Sequence, residues 1–137
     1  MRTPRVSLEE RLSADVDASA RARTSVEELR AILPPQLYED LRLVTSELVT
    51  NAVRHGVGGT ELVLRVDATT RPVVVEVEDS GPGFVPRFPP HPRGTSGWGL
   101  CLVDRLCERW GVAVSEVGTR VWAELPDPQL RTLPKIG

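Results

Sequence analysis

The chain has 137 residues, 40% hydrophobic and 26% charged, with a net charge of −2 and 17 Lys and Arg against 19 Asp and Glu. That is enough chain for one domain with a real core, and the composition is that of an ordinary globular protein. The charge balance excludes a basic nucleic-acid surface, and no apolar run is long enough to span a membrane.

Met1–Arg5 is basic but runs into Ser7, Glu9 and Glu10 rather than an apolar core, so no signal peptide is expected and a cytoplasmic protein follows. Val6, Leu8 and Leu12 alternate with Ser7, Glu9 and Arg11, which predicts a short first strand. Asp15 or Asp17 can cap a helix over about Val16–Leu33, with Val16, Ala20, Val26, Leu29 and Leu33 as its buried side. Pro34–Pro35 ends it, and a second helix is predicted over about Pro35–His55. Leu37, Leu41, Val44, Leu48 and Ala52 recur at helical spacing and form its apolar face. Glu47, Asn51 and His55 are four residues apart and share another face. Asn is a poor mid-helix residue because its amide competes for backbone hydrogen bonds. Beside a carboxylate, its carboxamide offers a neutral oxygen of the kind that hard cations such as magnesium take. Alone, such a stripe is usually just a wet helix face.

Gly56–Val57–Gly58–Gly59 reads as a turn, followed by a hairpin with alternating strands at Leu62–Val66 and Val73–Val77 and a turn at Arg71–Pro72. Asp79–Ser80–Gly81–Pro82–Gly83–Phe84 follows directly. A carboxylate at a strand end can accept from an exocyclic amine such as that of adenine, and glycines let a flat ring approach the backbone. Taken alone, the same residues make a plain turn. The stretch from Asp79 to Gly99 is rich in Pro, Gly and Ser and is expected to be long and irregular. Gly94–Thr95–Ser96–Gly97–Trp98–Gly99–Leu100 leads into a helix predicted over about Leu100–Trp110. Backbone N–H groups before a helix start can cup phosphate oxygens, with hydroxyls from Thr95 and Ser96 and the charge of Arg93 nearby, although no P-loop signature is present. Val112–Val117 and Thr119–Leu125 close the fold as a second hairpin, and residues 127–137 form a proline-containing tail expected to be mobile. Cys101 and Cys107 fall on nearly opposite sides of the third helix, and His55 and His91 have no companions at metal spacing, so neither a disulfide nor a zinc site is expected.

The order of these motifs carries more than each alone. A helix bears E-x-x-x-N, a strand ends in D-x-G-x-G, a loop ends in G-x-G-L at a helix start, and Gly118–Thr119 lies in the last strand pair. This resembles the ATP-binding domain shared by gyrase, histidine kinases and MutL, the GHKL or Bergerat-type fold, over about Val16–Leu125. Within that superfamily, E-L-V-T-N-A-V-R-H-G looks most like the stand-alone anti-sigma factor serine/threonine kinases of actinobacterial type. The resemblance implies an α+β two-layer sandwich: a mixed, mostly antiparallel sheet with three helices on one face, in a single ATP-binding domain over residues 1–126. It implies that Asn51 holds magnesium on the ATP phosphates and that Glu47 is the general base toward a protein hydroxyl. Asp79 would read the adenine amine, Gly81 and Gly83 would lie under the base, and Gly97, Gly99 and Leu100 would bind phosphate through their amides. Thr119 would support the adenine pocket near Asp79, with Arg54 and His55 beside the site.

The implied function is an ATP- and magnesium-dependent anti-sigma regulator. It would phosphorylate Ser or Thr of an anti-anti-sigma, STAS-type protein and bind a sigma factor, with a homodimer also open to it. The alternative is a nucleotide-binding regulatory module without turnover. Pro86, Pro89, Pro90 and Pro92 stiffen the loop 84–93, and Trp98 stands between two glycines where relatives often carry a smaller or basic side chain. Both departures favour the alternative, whereas the retained Glu47 favours the enzyme.

Overall fold

A computed structural model describes residues 7–55, 61–79, 95–115 and 118–128. Five strands, β1 (Ser7–Ser13), β2 (Glu61–Asp67), β3 (Val73–Asp79), β4 (Arg109–Ser115) and β5 (Gly118–Leu125), form one sheet in the order β1-β2-β3-β5-β4. All four pairings are antiparallel, so no parallel pair occurs among the described residues. Helices α1 (Ala18–Val26), α2 (Pro35–His55) and α3 (Thr95–Leu106) complete the two-layer architecture.

Period-two burial fixes which side of the sheet meets the helices. Leu62, Leu64 and Val66 of β2, Val73, Val75 and Val77 of β3, and Val121, Ala123 and Leu125 of β5 are all buried. Their neighbours along each strand point the other way, onto a face laced by ion pairs. Arg65 Nε donates to Glu9 Oε1 at 2.9 Å and Arg65 Nη1 to Glu78 Oε2 at 2.9 Å. Glu76 lies 3.5 Å from Arg65 and 3.3 Å from Arg120. This line of alternating charge crosses β1, β2, β3 and β5, and it explains why the outer face carries no helix among the described residues.

The predicted apolar face of α2 is its buried face: Leu37, Leu41, Val44, Leu48 and Ala52 are each at most 3% exposed. The first helix differs from expectation. It begins at Ala18 and buries Ala18, Ala22 and Val26, while Val16 is 89% exposed and Ala20 is on the surface. Alanines at this four-residue spacing let α1 lie close against α2, and Arg23 Nη1 reaches across to Ser46 Oγ at 2.9 Å. A 3₁₀ turn, Glu27–Leu29, replaces the predicted last turns and still buries Leu29. Neither predicted aspartate caps the helix through its side chain onto N2 or N3. Asp15 instead accepts the Asp17 N–H at 2.9 Å and Arg21 Nη2 at 2.6 Å, which holds its carboxyl below the usual carboxylate range.

The third helix also departs from the reading. It starts at Thr95, so Gly97 and Gly99 fall within it, and it ends at Leu106. Trp110 belongs to β4, opposite Ala123 of β5. The Trp110, Val112, Val114 alternation suits a strand, and Val103 and Cys107 anchor the preceding chain in the core. Cys101 is half-buried, and neither cysteine forms a disulfide.

Candidate functional site

Register builds the site. Asp79 is the last residue of β3 and stands opposite Leu62 of β2 on one side and Thr119 of β5 on the other. Thr119 stands opposite Val114 of β4, and Leu62 opposite Leu12 of β1. A single row, Leu12–Leu62–Asp79–Thr119–Val114, therefore crosses the helix-facing side of the whole sheet at one end. Cross-strand neighbours of this kind have Cβ atoms roughly 4.5–5.5 Å apart. Exposure along the row is 4%, 0%, 1% and 2% up to Thr119, then 49% at Val114. Asp79 and Thr119 are thus both buried, with buried Leu62 on one side of the pair and half-exposed Val114 on the other.

Chain connectivity brings the second helix to the same end. Six Cα steps separate His55 from Glu61, the residue before Leu62. An extended chain covers at most about 3.6 Å per residue, so the end of α2 lies within roughly 22 Å of Glu61. The helix is itself about 31 Å long at 1.5 Å per residue, so its C-terminal half is the half near Asp79. That half carries Glu47, Asn51 and Arg54, spaced so that they share one face. Glu47 is half-buried, Asn51 is 5% exposed, and Arg54 is exposed. The third helix joins from the other side. It passes directly into β4 and packs against α2, so its first two turns, with Gly97, Gly99 and Leu100, lie toward the β4 end that holds Val114.

Buried polar atoms mark the place. Asn51 Nδ2 and Thr119 Oγ1 have no hydrogen-bond partner among the described residues. A buried donor left unmade costs about 1–3 kcal/mol, so such atoms on adjoining elements suit a polar ligand. Thr45 Oγ1 is buried and unpartnered too, nearly two turns before Asn51, and nothing in the structure explains it. Among the described residues no group of three His, Cys, Asp or Glu is placed to hold a metal ion. A magnesium ion at Asn51 would draw its other ligands from phosphate and water, as this ion commonly does. An open groove of about 690 Å³ lies elsewhere, on the outer sheet face by Arg65, Asp67 and Glu76, among charges that already pair with one another.

Of the residues singled out from the sequence, Asp79 and Thr119 are direct register partners, and Glu47 and Asn51 lie one turn apart in the C-terminal half of α2. Gly97, Gly99 and Leu100 open α3 rather than precede it. Gly81 and Gly83, the turn at 56–59, the loop 84–93 and the segment 129–137 lie outside the described residues, and the side chain of His55 is likewise not described. Leu62 and Val114, the two apolar flanks of the row, escaped the sequence reading. Strand register places them: Val114 faces Thr119 through the β4–β5 hairpin, and Leu62 faces Asp79 through the β2–β3 hairpin.

Comparison with known proteins follows the same outline. Similar solved structures include the RsbU and RsbW domains of Rv1364c from Mycobacterium tuberculosis, at 22% identity and TM-score 0.66, covering 91% of this chain and 33% of that one. A blue-light activated histidine kinase of Erythrobacter litoralis matches at 22% identity and TM-score 0.60, covering 83% of this chain and 42% of that one. The histidine kinase AdeS of Acinetobacter baumannii matches at 15% identity and TM-score 0.52, over 88% of this chain and 68% of that one. The chain thus spans between a third and about two-fifths of the length of the first two, and at these identities the likeness is one of fold. No curated protein matches the sequence. The histidine kinase-like ATPase domain matches residues 12–125, from the inner row's Leu12 to the end of β5. The chain belongs to the family of histidine kinase-like ATPase domains, a family of ATP-binding domains.

Proposed function

We propose that the chain binds ATP with magnesium and transfers the γ-phosphoryl group to a serine or threonine of a STAS-type anti-anti-sigma protein, acting as an anti-sigma regulator that also binds a sigma factor. One observation carries the nucleotide part: Asp79 and Thr119 are buried register partners at the end of the sheet where α2 carries Asn51 and Glu47. The E-L-V-T-N-A-V-R-H-G motif supports the narrower assignment to the anti-sigma kinases.

In this reading Asp79 accepts the exocyclic amine of adenine. Thr119 Oγ1, otherwise unpartnered among the described residues, holds the base edge beside it. The first turn of α3 presents backbone amides to phosphate, where the helix dipole favours negative charge. The Asn51 carboxamide has an oxygen for magnesium and an NH₂ for a phosphate oxygen; magnesium bound there would offset charge on the phosphates. Glu47 accepts the proton of the acceptor hydroxyl as its oxygen bonds to the γ-phosphorus and the bond to the β–γ bridging oxygen breaks, releasing ADP.

Phosphoserine formation from labelled ATP with magnesium, scored against candidate STAS-type proteins, tests the proposal. Glu47→Gln keeps size and helix propensity but removes the base. It should leave ATP affinity within a few-fold while transfer falls by about 10²–10⁴. A Gln variant as active as the unmodified chain removes Glu47 from the role. An unmodified chain that transfers to no candidate, yet changes its affinity for a partner on adding ATP, is a binding module rather than a kinase.

A further inference from the structure

The groove on the outer face of the sheet is open, holds about 690 Å³, and is lined by the starts of β1 and β3 and the end of β2. Leu8 and Val74, both half-buried, are part of its apolar lining. Among the described residues that line it, Glu9, Asp67 and Glu76 stand against one cation, Arg65. Arg65 is already divided between Glu9, Glu76 and Glu78. Asp67 accepts from the hydroxyl and backbone N–H of Thr69 and has no cation within ion-pair distance among the described residues. The groove therefore carries more negative charge than its own cation neutralises.

The chain leaves the sheet beside it. β5 finishes at Leu125, opposite Val73, and Glu124 stands opposite Val74 of the groove. Pro126, Asp127 and Pro128 are half-buried, so the chain still lies against the domain where residue 129 follows. Residues 129–137 read Gln–Leu–Arg–Thr–Leu–Pro–Lys–Ile–Gly, with two cations and no acid.

We propose that residues 129–137 lie along this groove as an extended, polyproline-like run, so that the chain's own C-terminal segment occupies the outer face. Leu130, Leu133 and Ile136 recur every third residue, and a polyproline helix has about three residues per turn, so all three fall on one edge. Pro134 suits this form and turns Leu133 toward it. The apolar edge meets Leu8 and Val74. Arg131 and Lys135 fall on the two flanking edges, toward the carboxylates on either side. Such a run has no internal hydrogen bonds, and an open groove leaves its backbone in water. Reach is ample: the steps from Pro128 to Ile136 span about 25 Å, against roughly 10 Å for the two strand spacings from β5 to β2. Residues 1–6 adjoin the groove too and carry Arg2 and Arg5, but their apolar pair, Met1 and Val6, shares no such edge. Tethering favours the chain's own segment over one from another molecule.

A nitroxide label at Thr132→Cys, in a Cys101→Ser background, reads the placement by NMR. An untethered-to-the-groove segment would sweep both sides of β5 and reach Arg109, one strand away, at least as often as Asp67, two strands away. A segment held in the groove should broaden the amide signals of Arg65, Asp67 and Val74 several-fold more than that of Arg109. That excess should be lost in Arg131→Glu/Lys135→Glu, whose changes lie outside the sheet and core, and should shrink in 1 M salt. Broadening at Arg109 equal to that at Asp67 overturns the proposal. So does a label at Thr3→Cys that gives a salt-sensitive excess at Asp67 when Thr132→Cys gives none, because residues 1–6 then hold the groove. Broadening of an isotope-labelled chain by a separate nitroxide-bearing chain places the segment on another molecule, and that also overturns it. None of these readouts depends on ATP, so they stand apart from the fate of the nucleotide assignment.

Discussion

Replacing Asp79 by Asn tests the adenine pocket with almost no change of shape. Asp79 is 1% exposed and sits between Leu62 at 0% and Thr119 at 2%. Water that cannot reach the position cannot replace a lost hydrogen bond. If the amide turns its NH₂ toward the adenine amine, two donors meet and a buried bond goes unmade, at about 1–3 kcal/mol. That range corresponds to a rise in Kd of about five- to 150-fold. An amide that turns its oxygen inward instead still exchanges a charged acceptor for a neutral one, which sets the low end. The same swap makes a second, opposite demand. Inosine triphosphate presents a carbonyl oxygen where ATP presents an amine, and a carboxylate repels it while an amide NH₂ donates to it. Isothermal titration calorimetry of both nucleotides should therefore show Asp79→Asn losing ATP affinity and narrowing or reversing the preference over inosine triphosphate. An unchanged ATP affinity together with an unchanged ratio would refute the assignment, because no base edge could then lie against Asp79.

Asn51→Ala should weaken ATP binding chiefly in its magnesium-dependent part; equal losses with magnesium and with chelator would remove the metal role from Asn51. Gly111→Ala should destabilise the fold by about 1–3 kcal/mol in denaturant unfolding, because a Cβ there would sit 2.7 Å from the Trp122 ring, which Arg109 also covers at 5.9 Å; an unchanged midpoint would mean the indole moves aside at no cost. Acid should erode stability through Asp15 and Asp67, both held below the usual carboxylate range, Asp67 by the hydroxyl and the backbone N–H of Thr69. Because the folded-state values are lowered, the contribution is complete above the unfolded value near 4 and disappears as pH falls through the lower folded values. Asp67→Asn should flatten the thermal midpoint's dependence on pH below about 4, and an unchanged slope would show that the turn contributes nothing there.

Much of this fold is local and therefore legible. Leu37, Leu41, Val44, Leu48 and Ala52 repeat with the helical period over about four turns, and no other structure buries them all. Val73–Val77 alternates cleanly, and Arg71–Pro72 interrupts the two strands at a place where only a turn fits. The two ends of the reading that failed are places where local signals are weak and packing decides. At Gly97 and Gly99, glycine costs roughly 1 kcal/mol each in a helix, which argues for a later start. The helix nonetheless opens at Thr95, where its fixed place against α2 outweighs intrinsic propensity. In the first helix, Val16 is the more hydrophobic candidate, but the close approach of α1 to α2 selects the small Ala18 and Ala22 instead.

The candidate site divides along the same line. The sequence by itself determined that Glu47 and Asn51 share a helix face, since a four-residue spacing admits nothing else once the helix forms. It also determined that Asp79 ends a strand, since Gly81 and Pro82 follow. That Thr119, forty residues on, stands beside Asp79 was implied by the resemblance, but no spacing or periodicity in the residues themselves fixes it; the tertiary structure does. Hydrophobic periodicity says which face of a strand is buried, but not which strand lies next to it. β5 could have paired with β2 or lain at an edge with the same alternation. Its place between β3 and β4 depends on the packing of three helices over one face and on the antiparallel return from α3, both of them long-range contacts. The same placement leaves β4 at the edge with Val114 beside Thr119 and sets Asp79 and Thr119 side by side.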